Sequence, residues 1–315
     1  MIVVYSSDEN YAQHMAVSMV SLFRIHTKVE KLSVFVISNG ISKACCTKLE
    51  VLAKSYNRTI TWLDFKPFEE KLSLDMEWPI SISSYARLFL AEMLPHWCDR
   101  VLYLDCDTIV CDDLTALWEL DMQEHPVAGV KDTVNADFKR RVGLSPNDPY
   151  INAGILLIDL DLWRKHDIQN QFLSFINQRN GRVTHHDQGV INGVFSQNKL
   201  ILSPRYNAMT PLFTHSYKRL VEFFRLNDFY SESQIMDAVR KPAIIHFTPE
   251  YVGRVWEKGC KHPHVDLYRN YLEQTPWKGN ITDPEPLSLK LRILYWMYQN
   301  LPIRLIHILT AFRKK

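Results

Sequence analysis

Strand and helix alternate through the first sixty-odd residues, and that rhythm restricts the architecture more than any other property of the chain. Residues 2–6 form an apolar run that fits a buried strand, and residues 11–26 carry Met15, Met19, Leu22 and Phe23 on one helical face. The pattern repeats with a strand at 32–37, a helix at 42–56 that Ser42 is placed to cap, and a β-branched strand at 59–63. Strands separated by helices are joined by crossovers, so this order predicts an α/β fold with a parallel sheet covered on both faces.

Further along, the sequence predicts a helix over 83–93, strands at 100–104 and 127–130, a near-continuous apolar strand over 154–160, an amphipathic helix over 162–178, a short helix over 188–195 and a strand at 243–247. The first clear punctuation is Lys278-Gly279-Asn280, so residues 1–280 are expected to form one domain and residues 281–315 a separate tail. A hydrophobic content of 46% is ample for a core of that size. The six cysteines form no Cys-x-x-Cys pair, which fits a reducing compartment. The polar run 6–10 leaves no room for the apolar stretch of a secretory signal, and no segment is long enough to be expected to span a membrane.

Chemistry concentrates where the strand Arg100-Val101-Leu102-Tyr103-Leu104 runs into Asp105-Cys106-Asp107. In extended chain, alternate side chains share a face, so the two carboxylates converge while Cys106 points away. Paired hard oxygen donors at the carboxyl end of a parallel strand suit Mg²⁺ or Mn²⁺, and ligands bind beyond that edge of open α/β sheets. The motif alone is weak, because a loop or cap role competes and a second copy, Asp159-Leu160-Asp161, leads into a helical pattern as an N-cap.

Six ordered blocks carry more weight than either pair. They are Tyr5-Ser6-Ser7-Asp8-Glu9-Asn10-Tyr11, Ser83-Ser84-Tyr85-Ala86-Arg87-Leu88, the strand ending in Asp105 and Asp107, Asn152-Ala153-Gly154-Ile155-Leu156-Leu157-Ile158, His186-Asp187-Gln188-Gly189-Val190-Ile191-Asn192, and Ile244-Ile245-His246-Phe247. From Val3 to about Tyr271 the chain thereby resembles glycosyltransferase family 8, the retaining enzymes that include bacterial lipopolysaccharide galactosyl- and glucosyltransferases. The resemblance implies a GT-A fold, a Rossmann-like nucleotide-sugar domain with a mixed, mostly parallel sheet. It implies Mn²⁺, with Mg²⁺ as the alternative, held by Asp105, Asp107 and His246. It implies a UDP-hexose donor held by Ser6, Ser7, Asp8, Asn10 and Tyr11 at the first strand end, and by Arg87, Cys106, Asn152 and Ala153. Asp187 and Gln188 are implied beside the reacting carbon as the catalytic pair.

The residue types leave plainer readings open. Asp8 and Asn10 suit a cap on the following helix, His246 suits a satisfied core histidine, Arg87 suits an exposed salt bridge, and Asn152 suits a turn into a strand. His185 and His186 read as a polar helix entrance rather than a zinc pair. The chain also departs from the family pattern His-x-x-Gly-x-x-Lys-Pro-Trp, since Pro249 stands where glycine is usual. If the loop carries two extra residues, Gly253 supplies the close backbone approach and Arg254 the cation that faces the diphosphate.

The net charge of +2 divides unevenly, because residues 286–315 hold six basic side chains and no acidic one. Apolar and aromatic residues interleave there, broken at Pro302, which predicts two short helices fit for an anionic membrane surface, with packing on the domain as the competing role. The more acidic body argues against nucleic acid as a partner. The segments 132–150 and 207–230, the latter rich in aromatics, are expected to cover a glycan or lipid-linked saccharide acceptor. Together these features predict a hexosyltransferase of a bacterial surface glycan (lipopolysaccharide, capsule or glycoprotein), cytoplasmic and peripheral on the inner face of the plasma membrane. The competing classes are a sugar nucleotidyltransferase and a catalytically inactive glycan-binding relative.

Overall fold

The computed structural model describes residues 1–75, 82–303 and 305–306. Strands β1 (Ile2–Ser7), β2 (Ser33–Ser38), β3 (Ile60–Asp64), β4 (Arg100–Leu104), β6 (Val127–Lys131), β7 (Ile151–Asp159) and β8 (Leu200–Ile201) form one sheet in the order β3-β2-β1-β4-β7-β6-β8. β1, β2, β3 and β4 run parallel, β7 is antiparallel to both its neighbours, and β8 pairs parallel with β6. The sheet is therefore mixed, as expected. A second sheet of β5 (Thr108–Val110), β9 (Ala208–Met209) and β10 (Ile244–His246), ordered β5-β10-β9, stands beside it.

Residues alternate along β1 between two cores. Val3 and Tyr5 pack with Met15, Met19 and Leu22 of helix α1 (Ala12–Ile25), whereas Ile2 and Val4 join Phe35, Tyr85 and Phe89 on the opposite face. Burial on both faces explains why this strand reads as an unbroken apolar run. Helix α2 (Lys43–Ser55) begins as expected, with the Ser42 hydroxyl accepting from Cys45 N. β1 lies between β2 and β4, so the chain leaves its carboxyl end in one direction and β4 arrives from the other, opening a crevice at that edge.

Several expectations needed correction. The segment expected as one helix over 83–93 is a 3-10 helix, Ile82–Phe89, that becomes α-helical only at Leu90–Met93. Its Ser83 and Ser84 carbonyls accept from the Ser6 hydroxyl and the Arg87 guanidinium. The amphipathic run over 162–178 breaks at Asp167, whose φ of 49° is left-handed, into Leu160–Lys165 and Ile168–Asn177. The strand expected at 243–247 belongs to the second sheet, where its antiparallel partner β5 was too short to stand out from the residues around it.

After the main domain, the tail helix Leu289–Asn300 follows Ser288, whose hydroxyl accepts from Leu291 N. It rests on the domain through Tyr298, which stacks on Tyr251 at 4.2 Å and meets Phe223 edge-on at 4.9 Å. Leu289, Ile293 and Trp296 remain exposed. Arg304, Ile308, Leu309, Phe312, Arg313, Lys314 and Lys315, on which the expected second tail helix rests, lie outside the described residues. Among the described residues, no helix is long and apolar enough to cross a membrane.

Candidate active site

The crevice at the β1 and β4 edge is a cleft of about 920 Å³. Asp105 and Asp107 follow β4 in a tight turn rather than in extended chain, yet they reach the same point because the second sheet closes over them. The ladder pairs His246 with Thr108, and Phe247 N donates to Asp107 O at 2.9 Å, which brings the imidazole between the carboxylates. His246 Nε2 lies 3.3 Å from Asp107 Oδ1 and 3.8 Å from Asp105 Oδ2, and one ligand atom from each of the three residues falls within 4.8 Å of the others.

Two further contacts fit this cluster to a divalent ion. Asn207 Oδ1 accepts from His246 Nδ1 at 3.0 Å, which leaves Nε2 as the lone-pair nitrogen facing the carboxylates. Gly154 stands against the same ring, where an added Cβ would overlap His246 Cε1 and lie 2.7 Å from Asp105 Oδ2. The backbone has been brought as close as a glycine permits. Two carboxylates with one neutral imidazole suit Mn²⁺ or Mg²⁺, the nitrogen favouring manganese. Burial tends to raise the pKa of the Asp107 carboxyl, but His246 and Arg254 overcome that and hold it below its ordinary range. Burial likewise works against a charged His246, and Asp107 with Asp105 outweighs it, raising the imidazole pKa.

Arg87 joins this cluster to the rest of the cleft. It is 4% exposed, not the surface side chain its helix suggested, and its ring of contacts leaves little freedom. Nη2 lies 2.9 Å from Asp105 Oδ1, Nε lies 3.0 Å from Asp187 Oδ2, and Nη1 donates to Ala153 O. The guanidinium also stands 4.3 Å from the centre of the Tyr103 ring. Burial opposes its charge, yet Asp105, Tyr103 and Asp187 keep it firmly protonated. Asp187 is pushed up by burial in spite of Arg87.

Next to Asp187 on the helix His186–Phe195, Gln188 is fixed at both ends of its amide. Its Oε1 accepts from Ala153 N at 3.0 Å and Asn152 Nδ2 at 3.2 Å, and its Nε2 donates to Asp132 Oδ2 at 2.7 Å. Asn152 Nδ2 also donates to Asp132 Oδ2, while Asn152 Oδ1 accepts from Gly154 N and Asn207 Nδ2. Asn152 lies inside β7 rather than in the turn before it that its plainer reading gave, and it lines the cleft. Asp132 and Asn207 escaped the sequence reading of individual site residues. The signal for Asp132 was its place at the carboxyl end of β6, the same position that Asp105 occupies after β4.

At the first strand end the outcome divides. Ser6, Ser7, Asp8 and Tyr11 line the cleft, whereas Asn10 stands outside its wall. Asp8 Oδ1 accepts from Asn10 N and Tyr11 N and so caps the short turn before α1. Tyr11 is pushed up to about 12 by burial and by Asp107. Cys106 turns its thiol to Ser6 O at 3.2 Å, and burial raises its pKa well above the ordinary value. Gly253, with φ of +79°, shapes the loop without reaching the wall, and Arg254 Nη1 comes to 3.8 Å from Asp107 Oδ2. The second acidic pair is elsewhere: Asp159 accepts from Leu162 N as a helix cap, and Asp161 pairs with Arg164.

The opposite side of the cleft carries Met209, Pro211, Phe223, Phe224, Thr248, Pro249 and Glu250. Thr248 Oγ1 is buried there without a hydrogen-bond partner among the described residues, and the Glu250 carboxylate lies 3.8 Å from His215 Nε2.

The chain is similar to several known proteins. General stress protein A of Bacillus subtilis (strain 168) is 27% identical over 280 residues, covering 87% of this chain and 94% of that protein. Lipopolysaccharide 1,2-glucosyltransferase of Escherichia coli (strain K12) is 27% identical over 291 residues, covering 88% and 79% respectively. The crystal structure of the galactosyltransferase LgtC, solved with donor and acceptor sugar analogues, superposes with a TM-score of 0.73 at 24% identity over 93% of this chain and 99% of that one. The family model for glycosyl transferase family 8 matches residues 2–256, and the chain belongs to that family.

Proposed function

We propose that this glycosyltransferase moves glucose or galactose from a UDP-sugar, with retention at the anomeric carbon, to a saccharide acceptor of a bacterial surface glycan. The observation that carries the reading is the convergence of Asp105, Asp107 and His246 at one end of a cleft whose floor is Arg87, Asp187 and Gln188. Six carboxylates and two guanidiniums line that cleft (Asp8, Asp105, Asp107, Asp132, Asp187, Glu250, Arg87, Arg254), so an anionic diphosphate needs a cation to enter it. A manganese ion held by the triad, or magnesium in its place, supplies Lewis-acid stabilisation of the departing diphosphate. Ser6, Ser7, Asp8 and Tyr11 hold the nucleoside, and Arg254 faces the phosphates.

Asp187 is a poor nucleophile here, being tied to Arg87 and shifted toward its neutral form, and the Gln188 amide is poorer still. Attack therefore comes from the acceptor hydroxyl on the face UDP leaves. The new bond forms between that oxygen and the anomeric carbon, the bond to the β-phosphate oxygen breaks, and the hydroxyl proton passes to that phosphate. Gln188 and Asn152, oriented by Asp132, hold the sugar while this occurs. Phe223 and Phe224 offer apolar faces to the acceptor ring, and the name of the Escherichia coli relative favours a lipopolysaccharide or similar glycan. Residues 281–315 act as a basic anchor on the inner face of the plasma membrane, next to that acceptor. Its exposed Leu289, Ile293 and Trp296 lie beside Lys290 and Arg292, a pattern that suits anionic lipid.

The test is incubation with Mn²⁺ and radiolabelled UDP-glucose or UDP-galactose. Slow release of UDP and free hexose from one donor supports the reading and names the sugar. Donor binding without any turnover would sink it in favour of an inactive glycan-binding relative.

A further inference from the structure

The loop between His246 and Val265 carries Arg254 and holds no helix or strand; its backbone is tied by a bridge between Glu257 and Thr282 and by Glu257 N donating to Arg254 O, so the guanidinium is placed by its own contacts. Arg254 Nη1 donates to Phe247 O at 3.2 Å, and the guanidinium carbon lies 5.1 Å from the centre of the Trp256 ring. Trp256 is in turn stacked on His14, with ring centres 3.8 Å apart and planes 28° from parallel. His14 is itself fixed. It is 6% exposed on α1, and Nδ1 lies 2.6 Å from the Tyr268 hydroxyl. Gln13 Nε2 donates to that same phenol oxygen at 3.4 Å, so the phenol proton is directed at His14 Nδ1. Tyr11, on the cleft wall, meets both rings edge-on at 5.2 and 6.1 Å.

We propose that His14 is a positioning residue for the donor diphosphate: its ring braces Trp256, and Trp256 holds Arg254 toward the phosphate end of the cleft. The inference rests on the UDP-sugar reading above and adds to it a relay running from Tyr268 through His14 and Trp256 to Arg254. Burial keeps the imidazole neutral, with a pKa lowered to about 4, so it does not repel the guanidinium that shares the indole. The relay joins α1 to the loop through the His14–Tyr268 hydrogen bond, the His14–Trp256 stack and the Arg254–Trp256 cation–π contact. Flatness of the ring, not charge, is the property it needs.

Calorimetric titration with UDP at saturating Mn²⁺ tests this. His14→Gln keeps a hydrogen-bonding partner for Tyr268 but removes the flat ring, and UDP affinity is expected to fall about three- to tenfold, the worth of one cation–π contact. His14→Phe restores the stack, and affinity returns to within about twofold of the parent protein. Trp256→Leu, which cuts the relay from its other side, gives a loss like that of His14→Gln. In an Arg254→Ala background, His14→Gln produces no further loss, because the group it positions is gone. Uridine, which lacks the diphosphate, loses less affinity than UDP in every variant, because it meets these rings through Tyr11 rather than through Arg254. Unchanged UDP affinity in both His14→Gln and Trp256→Leu, losses that multiply in the double variant, or an equal loss for uridine overturns the relay. A parent protein that does not bind UDP with Mn²⁺ overturns the donor reading instead.

Discussion

The two sides of the cleft are built on different physics. The side proposed for the donor is a lattice of charges and amides: Arg87 pairs with Asp105 and Asp187, and Asp132 accepts from Gln188 and Asn152, with Asp187 and Gln188 adjacent on one helix. The side proposed for the acceptor is a wall of Met209, Pro211, Phe223, Phe224 and Pro249, with the Thr248 hydroxyl unpartnered among the described residues. A lattice whose members satisfy one another is preorganised and intolerant of substitution. An apolar wall with unmet polar groups accepts different sugars and is tuned by what packs behind it. The contrast teaches where chemistry and specificity are separated in this molecule, and each side makes predictions the other does not.

The largest effect belongs to the charge lattice. Asp107→Ala removes one arm of the cation site and is expected to lower turnover by about a thousandfold, in the range for losing one electrostatic stabiliser of a developing charge. The same steady-state assay should show a comparable loss for Gly154→Ala, because the added methyl displaces His246 from Asp105. Folding, followed by thermal unfolding, should survive Asp107→Ala, and Mn²⁺ should no longer raise the unfolding temperature. Activity within about tenfold of the parent in both variants would remove the cation from the account.

A second effect is thermodynamic and lies behind the donor side. The folded His14 imidazole resists protonation down to about 4, whereas in the unfolded chain it titrates near 6.5. Between these values the unfolded chain binds more protons, so stability is full above about pH 6.5 and declines as the pH falls toward 4. The total is about 3 kcal/mol from this one ring. Urea unfolding across that range should show the decline, and His14→Phe should show a slope shallower by that amount. A parent and variant with identical slopes contradict the burial of this ring.

Asp132 comes next. Ala in its place removes the oxygen that accepts from both amides, and the loosened Gln188 and Asn152 should cost about ten- to a hundredfold in kcat, with donor KM changing far less. An effect confined to KM places Asp132 in binding rather than in orientation.

What could be read in advance follows the same division. The alternation of elements located the sheet, the cleft edge and Asp105 and Asp107, because strand termini of a parallel sheet are fixed by local pattern, whereas His246, on the second sheet, was reached through the six-block resemblance alone. Asp132 and Asn207 were missed as site residues since their importance lies in whom they touch across the fold: Asn207 meets His246 and Asn152 from 39 and 55 residues away. The plainer reading of Arg87 as an exposed salt bridge fails, because helical periodicity records which face a residue shares and not the depth of the cleft opposite. The 3-10 geometry at Ile82–Phe89 depends on the Ser6 hydroxyl, 77 residues distant from the carbonyl it engages. A short β5 partner likewise hid the second sheet.

The smallest effect tests the acceptor wall. The tail helix Leu289–Asn300 reaches the wall through Tyr298, which stacks on Tyr251, meets Phe223 edge-on and offers its carbonyl to Arg219. Tyr251 adjoins Glu250, so the helix backs both the aromatic and the acidic parts of the wall. An aromatic pair of this kind contributes about 0.5–1.5 kcal/mol beyond burial, so Tyr298→Ala should raise acceptor KM about two- to tenfold. Hydrolysis of the donor to free hexose should stay within about twofold, since no member of the charge lattice is touched. Tyr298→Phe keeps the ring and should behave as the parent. An equal fall in hydrolysis and transfer would mean that the two sides are one mechanical unit, and the separation of chemistry from specificity would have to be given up.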